Sequence, residues 1–435
     1  MKRHASLRPL YRLVGGVLLA SAAALFVVLP GVEKITSSHY GLGFADDYDL
    51  IANSLATGQG YRLGPDLGET MIREPGYPLL LAGMFKLFGY GLEGARLANL
   101  LLAGAAAWLL WQLAFRVTRD RAASLVAVAI FLLHPGTLVA EARGGVEIFF
   151  MFAALAFMLL LFRAIDADRG LHYFVAGLAL GALVLVRSTP LLFPLVLLPY
   201  LVWAAPRAAR GRRLAQCAAL LAGMGLAMSP WVARNYAVSG QLIPTGTVVG
   251  VAAQEGQYTC ERISLGRGHQ ALQLEAAEQR NRLAAELGLR FKRDFYQYFY
   301  TPADEIAFNR ALVQRSLERY REDPALLARC TAQNFFHFWF LGKNGLATAL
   351  NVLLQLSLLA LALAGLLRLR RQRAASTWLP IALFAAYVVA VHLPLMAHAR
   401  HAIPLVPFLA IFAGVALAGI PAVSRKRALG GAHAS

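Results

Sequence analysis

Residues 43–83, GFADDYDLIANSLATGQGYRLGPDLGETMIREPGYPLLLAG, decide how the chain is read. They follow an apolar segment long enough to cross a membrane. Into otherwise apolar surroundings they bring an acidic pair, Asp46 and Asp47, then Arg73 and Glu74 and a PGYP turn. Charge beside hydrocarbon is costly, so such a cluster on the rim of a membrane protein asks for a functional explanation first. After the acids, Tyr48, Ile51 and Leu55 recur at helical spacing until TGQGY breaks the helix. The apolar stretch Tyr77 to Phe88 is too short to span and is expected to lie along the interface.

Working outward, the chain is 58% hydrophobic and 15% charged, and its apolar residues come in blocks of about twenty rather than as amphipathic periods. This predicts an all-α polytopic membrane protein. The expected spans are 12–30, 94–115, 122–140, 146–162, 171–186, 189–205, 214–231, 346–367, 377–396 and 402–423. The formal net charge of +18 does not point to nucleic acid, because basic clusters at 2–12, 116–121, 163–169, 207–213, 368–373 and 425–427 all fall on one side if the N-terminus is cytoplasmic. Both termini are therefore placed inside, where these clusters meet the inner-leaflet lipids. Segment 13–30 reads as an uncleaved first helix rather than a signal peptide, since FVVLP continues the apolar run past its small residues.

Two polar segments, 31–93 and 232–345, then lie on the outer side. This divides the chain into a transmembrane module, 1–231, carrying the first outer loop; a mainly helical outer domain, 232–345; and C-terminal transmembrane helices, 346–435. In the outer domain GQLIPTGTVVGVAAQ reads as extended or irregular. A polar helix over 271–290 is expected to bury Leu272, Leu283 and Leu287, and Thr301-Pro302 and Asp323-Pro324 read as helix starts. The helix opened at Asp323 ends in NFFHFWF, whose rings suit the interfacial belt or, alternatively, a surface on which a lipid or sugar stacks. Of the three cysteines, Cys217 falls in a helix and Cys260 and Cys330 in the outer domain; two unrelated free thiols there are the expectation, with a bridge as the alternative.

The candidate chemistry follows from charges that break the pattern. Asp46 and Asp47 are adjacent, so in a helix their side chains diverge by about 100° and one acts while the other supports. A carboxylate at the mouth of a membrane cavity can take a proton from a hydroxyl or hold a divalent metal, Mg or Mn, against a phosphate. The plainer reading is two first-turn acids favoured by the helix dipole. Glu147 opens a span after Arg143-Gly144-Gly145 and so stands at membrane depth, where an acid needs a partner; Glu147 and Glu74 are the candidate supporting or metal-holding acids. Arg73, Arg187, Arg234 and Arg400 lie at outer helix ends, against the positive-inside gradient, and such forks bind phosphate bidentately; each could instead snorkel or pair locally, as Arg73 with Glu74. His398 and His401 flank Arg400 without an acid nearby and read as interfacial residues. No Walker loop, dinucleotide fingerprint, HExxH or GxSxG elbow is present.

IANSLATGQGY and REPGYPLLLAG after the acidic pair resemble the first outer loop of polytopic glycosyltransferases of the GT-C fold, the superfamily of protein O-mannosyltransferases and lipid A aminoarabinose transferases. SPWVARNYAVSGQLIPTGT, YREDPALLARCTAQNFFHFWF and ARHAIPLVPFLAIFAG resemble later segments of the same family in the same order. The resemblance implies transfer of a sugar from a polyprenyl-phosphate carrier to a glycan, lipid or protein acceptor, at the outer face of a bacterial inner membrane. It assigns the first-loop acid to Asp46 or Asp47, a second acid, supporting or metal-bound, to Glu147, and lipid-phosphate contacts to Arg73, Arg187 and Arg400. The first-loop acid usually stands further before the tyrosine, and His401 replaces a usual aromatic. A lipid-linked glycan flippase and a non-catalytic envelope polysaccharide assembly subunit are the rival readings.

Overall fold

The computed structural model describes residues 8–28, 46–262, 269–293, 296–342 and 344–418. The expected features at 2–7, 31–45 and 419–427 lie outside them. The helices are α1 (Arg8–Ala23, continued by a π-turn to Val28), α2 (Tyr48–Ala56), α3 (Gly76–Phe88), α4 (Leu92–Thr118), α5 (Arg121–Leu133), α6 (Pro135–Ala142), α7 (Glu147–Ala167), α8 (Gly170–Val186), α9 (Pro194–Ala204) and α10 (Arg210–Ser239). The outer segment adds α11 (Val249–Arg262), α12 (His269–Glu286), a two-stranded ladder of β1 (Phe291–Lys292) with β2 (Tyr298–Phe299), α13 (Pro302–Glu322) and α14 (Pro324–Phe340). The chain closes with α15 (Gly345–Gln372), α16 (Leu379–His392), a 3-10 segment Ala399–Leu405 and α17 (Val406–Ala418).

This is a multi-pass, all-helical membrane protein. Each of the ten expected spans overlaps a helix, but among the described residues only six stretches are long and apolar enough to cross a membrane alone: α1 with its π-turn, α4, α7, α10 with the turn before it, α15, and the 3-10 segment with α17. A seventh arises if α5 and α6, bent by 48° at His134-Pro135, count as one span. The break follows from proline, whose ring cannot join the preceding turn and which therefore starts α6 at its first position. The helices touch closely where glycine removes a side chain: a Cβ at Gly177 or Gly223 would overlap the facing backbone between α8 and α10, and one at Gly365 would overlap Phe412 of α17. Small residues at such crossings supply the packing that hydrophobicity cannot supply within lipid.

The outer segment departs from the sequence reading in places. The 231/232 boundary falls inside α10, which runs unbroken to Ser239. The stretch expected to be irregular is so only up to residue 248, after which α11 begins, and Leu287 is exposed just past the end of α12 while Leu272 and Leu283 are buried. Both proline starts hold: the Thr301 and Asp323 side chains accept from the amides of Asp304 and Leu326. Within NFFHFWF, Phe335 and Phe336 are exposed, whereas Phe338 and Trp339 are core residues, so those two rings are not part of an interfacial belt.

Cys260 and Cys330 are joined in a disulfide, with Cα atoms 5.6 Å apart. This corrects the expectation of two free thiols. Their 70-residue separation hides that α11 and α14 lie side by side.

Glu305, in the first turn of α13, fastens the first outer loop to the outer segment. It accepts from Thr70 Oγ1 (2.6 Å), Thr247 Oγ1 (2.5 Å) and the Met71 amide (2.9 Å). Glu305→Ala leaves these donors without their charged acceptor and is expected to cost roughly 3 kcal/mol of stability. Thermal unfolding in nanodiscs checks this, with Glu305→Gln recovering most of the loss.

Candidate functional site

The site forms where the first outer loop, the turn between α6 and α7, the end of α8 and the 3-10 segment before α17 meet. Asp46 and Asp47 both adopt left-handed backbone, with φ of 66° and 59°. A non-glycine residue pays about 1–2 kcal/mol for this conformation, and aspartate is among the few that tolerate it. Two in succession are strain held at a site. The turn gives the two carboxylates different surroundings.

Asp46 Oδ2 accepts from Arg400 Nη2 at 2.6 Å, while Arg400 Nε is bound by Glu147 Oε1. One guanidinium therefore bridges an acid from the first loop and an acid from α7. Glu147 is 2% exposed, and Arg400 supplies the opposite charge that a buried acid needs. Arg73 donates from Nε to the Asp46 carbonyl at 2.9 Å, and its guanidinium lies over the rings of Tyr48 and Tyr296, 5.3 and 4.8 Å from their centroids. Arg187, the residue that ends α8, and Arg143, which ends α6, also lie within electrostatic range of Asp46. Burial by itself would raise the Asp46 carboxyl, but Arg400 and Arg73 outweigh it and hold it well below the usual carboxylate range.

Asp47 goes the other way. Burial pushes its carboxyl up to about 6, against the opposing pull of Arg73 and a hydrogen bond from Tyr298. Its Oδ2 is buried without a hydrogen-bond partner among the described residues. A carboxylate titrating near neutrality, with no arginine ion pair among the described residues, can take a proton, whereas Asp46 is already committed to arginine.

The turn that presents Glu147 is tied down from behind. Arg96 Nε donates to Ala142 O (2.9 Å), Asn99 Nδ2 to Gly145 O (2.9 Å) and the Tyr77 hydroxyl to Gly144 O. A Cβ at Gly145 would overlap Glu147 Oε2, so any larger residue there would push this carboxylate from its place over the turn.

The structure therefore brings together Asp46, Asp47, Arg73, Arg187, Glu147 and Arg400 from the sequence reading. Arg234 stands elsewhere. It donates to Thr70 O (2.8 Å), lies 3.7 Å from Glu69 and covers the rings of Tyr61 and Trp231, which makes it a fastener of the first loop. Glu74 does not pair with Arg73; it is 2% exposed and its Oε1 has no hydrogen-bond partner among the described residues. His401 stacks on His398 and His392, with centroids 4.1 and 4.8 Å apart, and is buried rather than interfacial. Sequence reasoning missed Arg143, Tyr296 and Tyr298; Arg143 alone carried a signal, as a cation at an outer helix end. A divalent metal would compete with Arg400 for the oxygens of Asp46 and Glu147. Among the described residues no group of three or more His, Cys, Asp or Glu is placed to share an ion.

Residues 73–233 match the family described as dolichyl-phosphate-mannose-protein mannosyltransferase. Over that part of the chain the resemblance to polytopic glycosyltransferases is borne out. No curated protein matches the chain. Among solved structures, the Archaeoglobus fulgidus oligosaccharyltransferase, tethered to an acceptor peptide, is similar at 15% identity and a TM-score of 0.49, covering 96% of this chain and 50% of that one. This chain thus spans half the length of that protein. ArnT from Cupriavidus metallidurans bound to undecaprenyl phosphate is similar at 15% identity and a TM-score of 0.38, covering 86% of this chain and 74% of that one.

Proposed function

We propose that the protein transfers a sugar from a polyprenyl-phosphate carrier to an acceptor hydroxyl at the outer face of a bacterial inner membrane. The carrying observation is the cation excess at the site. Arg73, Arg143, Arg187 and Arg400 all act on Asp46, and among the described residues Arg143 and Arg187 have no ion pair of their own. Unspent guanidinium charge at the edge of the apolar region suits a phosphate that arrives on a lipid tail.

In this reading Asp47 accepts the proton of the acceptor hydroxyl. The hydroxyl oxygen forms a bond to the anomeric carbon from the face opposite the phosphate, and the bond from that carbon to the phosphate oxygen breaks with inversion. The electron pair leaves on the polyprenyl phosphate, where Arg400 and its neighbours stabilise the added charge. Asp46 and Glu147 hold Arg400 until the phosphate engages it. The disulfide supports an oxidising outer compartment, and the basic clusters at the opposite helix ends support cytoplasmic termini. The acceptor, whether glycan, lipid or protein, binds on the outer side.

The test is transfer of radiolabelled sugar from a panel of polyprenyl-phosphate donors by the full chain in nanodiscs, wild type beside Asp46→Asn and Asp47→Asn. Transfer that collapses in a folded aspartate variant supports the enzyme. Donor binding without transfer in any of the three would instead favour a flippase or assembly subunit.

A further inference from the structure

The residues between α16 and the 3-10 segment, 393–398, carry Arg400 into the site, and the outer segment grips their backbone. Asn334 of α14, 2% exposed, uses one amide nitrogen to donate to both Leu393 O (2.9 Å) and Leu395 O (2.8 Å). From α11, Ala252 O accepts from the Met396 amide (3.0 Å), and Gly256 lies so close to the Leu395 backbone that a Cβ would overlap it. The Ala399 amide donates to Leu341 O (3.1 Å), just past the end of α14.

The disulfide stands one helical turn from each grip. Cys260 follows Gly256 by four residues and Cys330 precedes Asn334 by four, so on each helix the cysteine and the gripping residue share a face. Both cysteines are buried, with Leu326 packed beside them. The two helices form a pair of jaws on the 393–396 backbone, and the bridge keeps them from opening.

We infer that the outer segment is a positioning clamp for Arg400, in which Asn334 is a positioning residue and the Cys260–Cys330 bridge sets the closure of the jaws. This rests on the reading of Arg400 as a donor-phosphate contact. Arg400 has to span Asp46 and Glu147 at once, and a fork of that kind tolerates little displacement of its backbone. Asn334 makes no direct contact in the site; its effect runs through the loop.

Asn334→Asp keeps the side-chain shape and removes the donor, and Cys260→Ser/Cys330→Ser opens the bridge without touching Asn334. Both are made in the full chain in nanodiscs, each in wild-type and Arg400→Gln backgrounds. Hydrogen exchange is followed over 393–401, and affinity is measured with undecaprenyl phosphate as the probe. Exchange over 393–401 is expected to speed up while that of α7 stays unchanged, and affinity to fall about tenfold in the wild-type background but within about twofold in the Arg400→Gln background. Unchanged exchange in the double cysteine variant overturns the clamp, and so does an affinity loss of the same size in both backgrounds, which a merely structural role would give. Wild-type affinity in Arg400→Gln alone would instead remove the donor-phosphate reading, leaving the exchange result to decide whether the clamp exists.

Discussion

Asp47→Asn is expected to lower sugar transfer by about 10²–10⁴-fold, the range for loss of a general base, while undecaprenyl phosphate still binds. Asparagine is the right replacement because it keeps the volume and tolerates the left-handed backbone at φ 59°. Alanine would add backbone strain to the lost carboxylate and confuse the result. Asp46→Asn should behave differently. It removes the carboxylate that holds Arg400 but leaves the backbone carbonyl that receives Arg73, so it loosens Arg400, weakens donor binding and lowers transfer together. A collapse of transfer in Asp46→Asn, with Asp47→Asn unaffected, would exchange the two roles.

The pH profile separates the same alternatives without mutation. If Asp47 is the base, wild-type transfer rises with pH through about 6, where burial has moved its carboxyl, and is level above that. If Asp46 is the base, the profile is flat across that interval, because its carboxyl stays ionised far below it. Stability carries the opposite sign. The folded state binds the Asp47 proton more tightly than the unfolded state, whose carboxyl titrates near 3.8. Folding is therefore favoured by this group below that value, and the advantage is lost as pH rises through about 6. Activity and stability would move in opposite directions over one interval, which a general loss of structure at low pH could not produce.

The architecture was legible because lipid imposes a one-dimensional rule, and blocks of apolar residues with basic ends report it directly. Site residues were legible for a related reason. Asp46, Asp47, Arg73, Glu147, Arg187 and Arg400 each put charge where the surroundings penalise it, and residues as far apart in sequence as Asp46 and Arg400 turn out to share an ion pair. Arg234 broke the same rule yet found its partners within the first loop, because a local carbonyl or acid relieves a half-buried cation as well as a ligand does. Tyr296 and Tyr298 could not be picked out, since nothing in sequence separates a tyrosine over an arginine from one in an interfacial belt. The disulfide was hidden for a topological reason: two cysteines on different helices meet only once those helices are packed together.

Arg400→Ala should cost both stability and function, and the two losses can be separated. Removing the guanidinium leaves Glu147, 2% exposed, as a buried carboxylate whose charged partner is gone. Breaking one side of such a pair typically costs about 3–5 kcal/mol, most of it the penalty of the stranded charge. Transfer should fall about 10²–10³-fold, the usual effect of losing one donor to a developing anion. Pairing Arg400→Ala with Glu147→Gln neutralises the stranded acid, so thermal unfolding in nanodiscs should return most of the way to wild type. Transfer should not return, because the group that meets the departing phosphate is still missing. Arg400→Lys sets the finer limit. It keeps the charge, but one ammonium on a flexible stem cannot present the fixed fork that reaches Asp46 through Nη2 and Glu147 through Nε. It is expected to unfold near the wild-type temperature and to transfer at an intermediate rate. Recovery of transfer in the Arg400→Ala/Glu147→Gln double variant would show that the arginine serves only to neutralise Glu147, and the donor phosphate would then have to be held by Arg73, Arg143 and Arg187 alone.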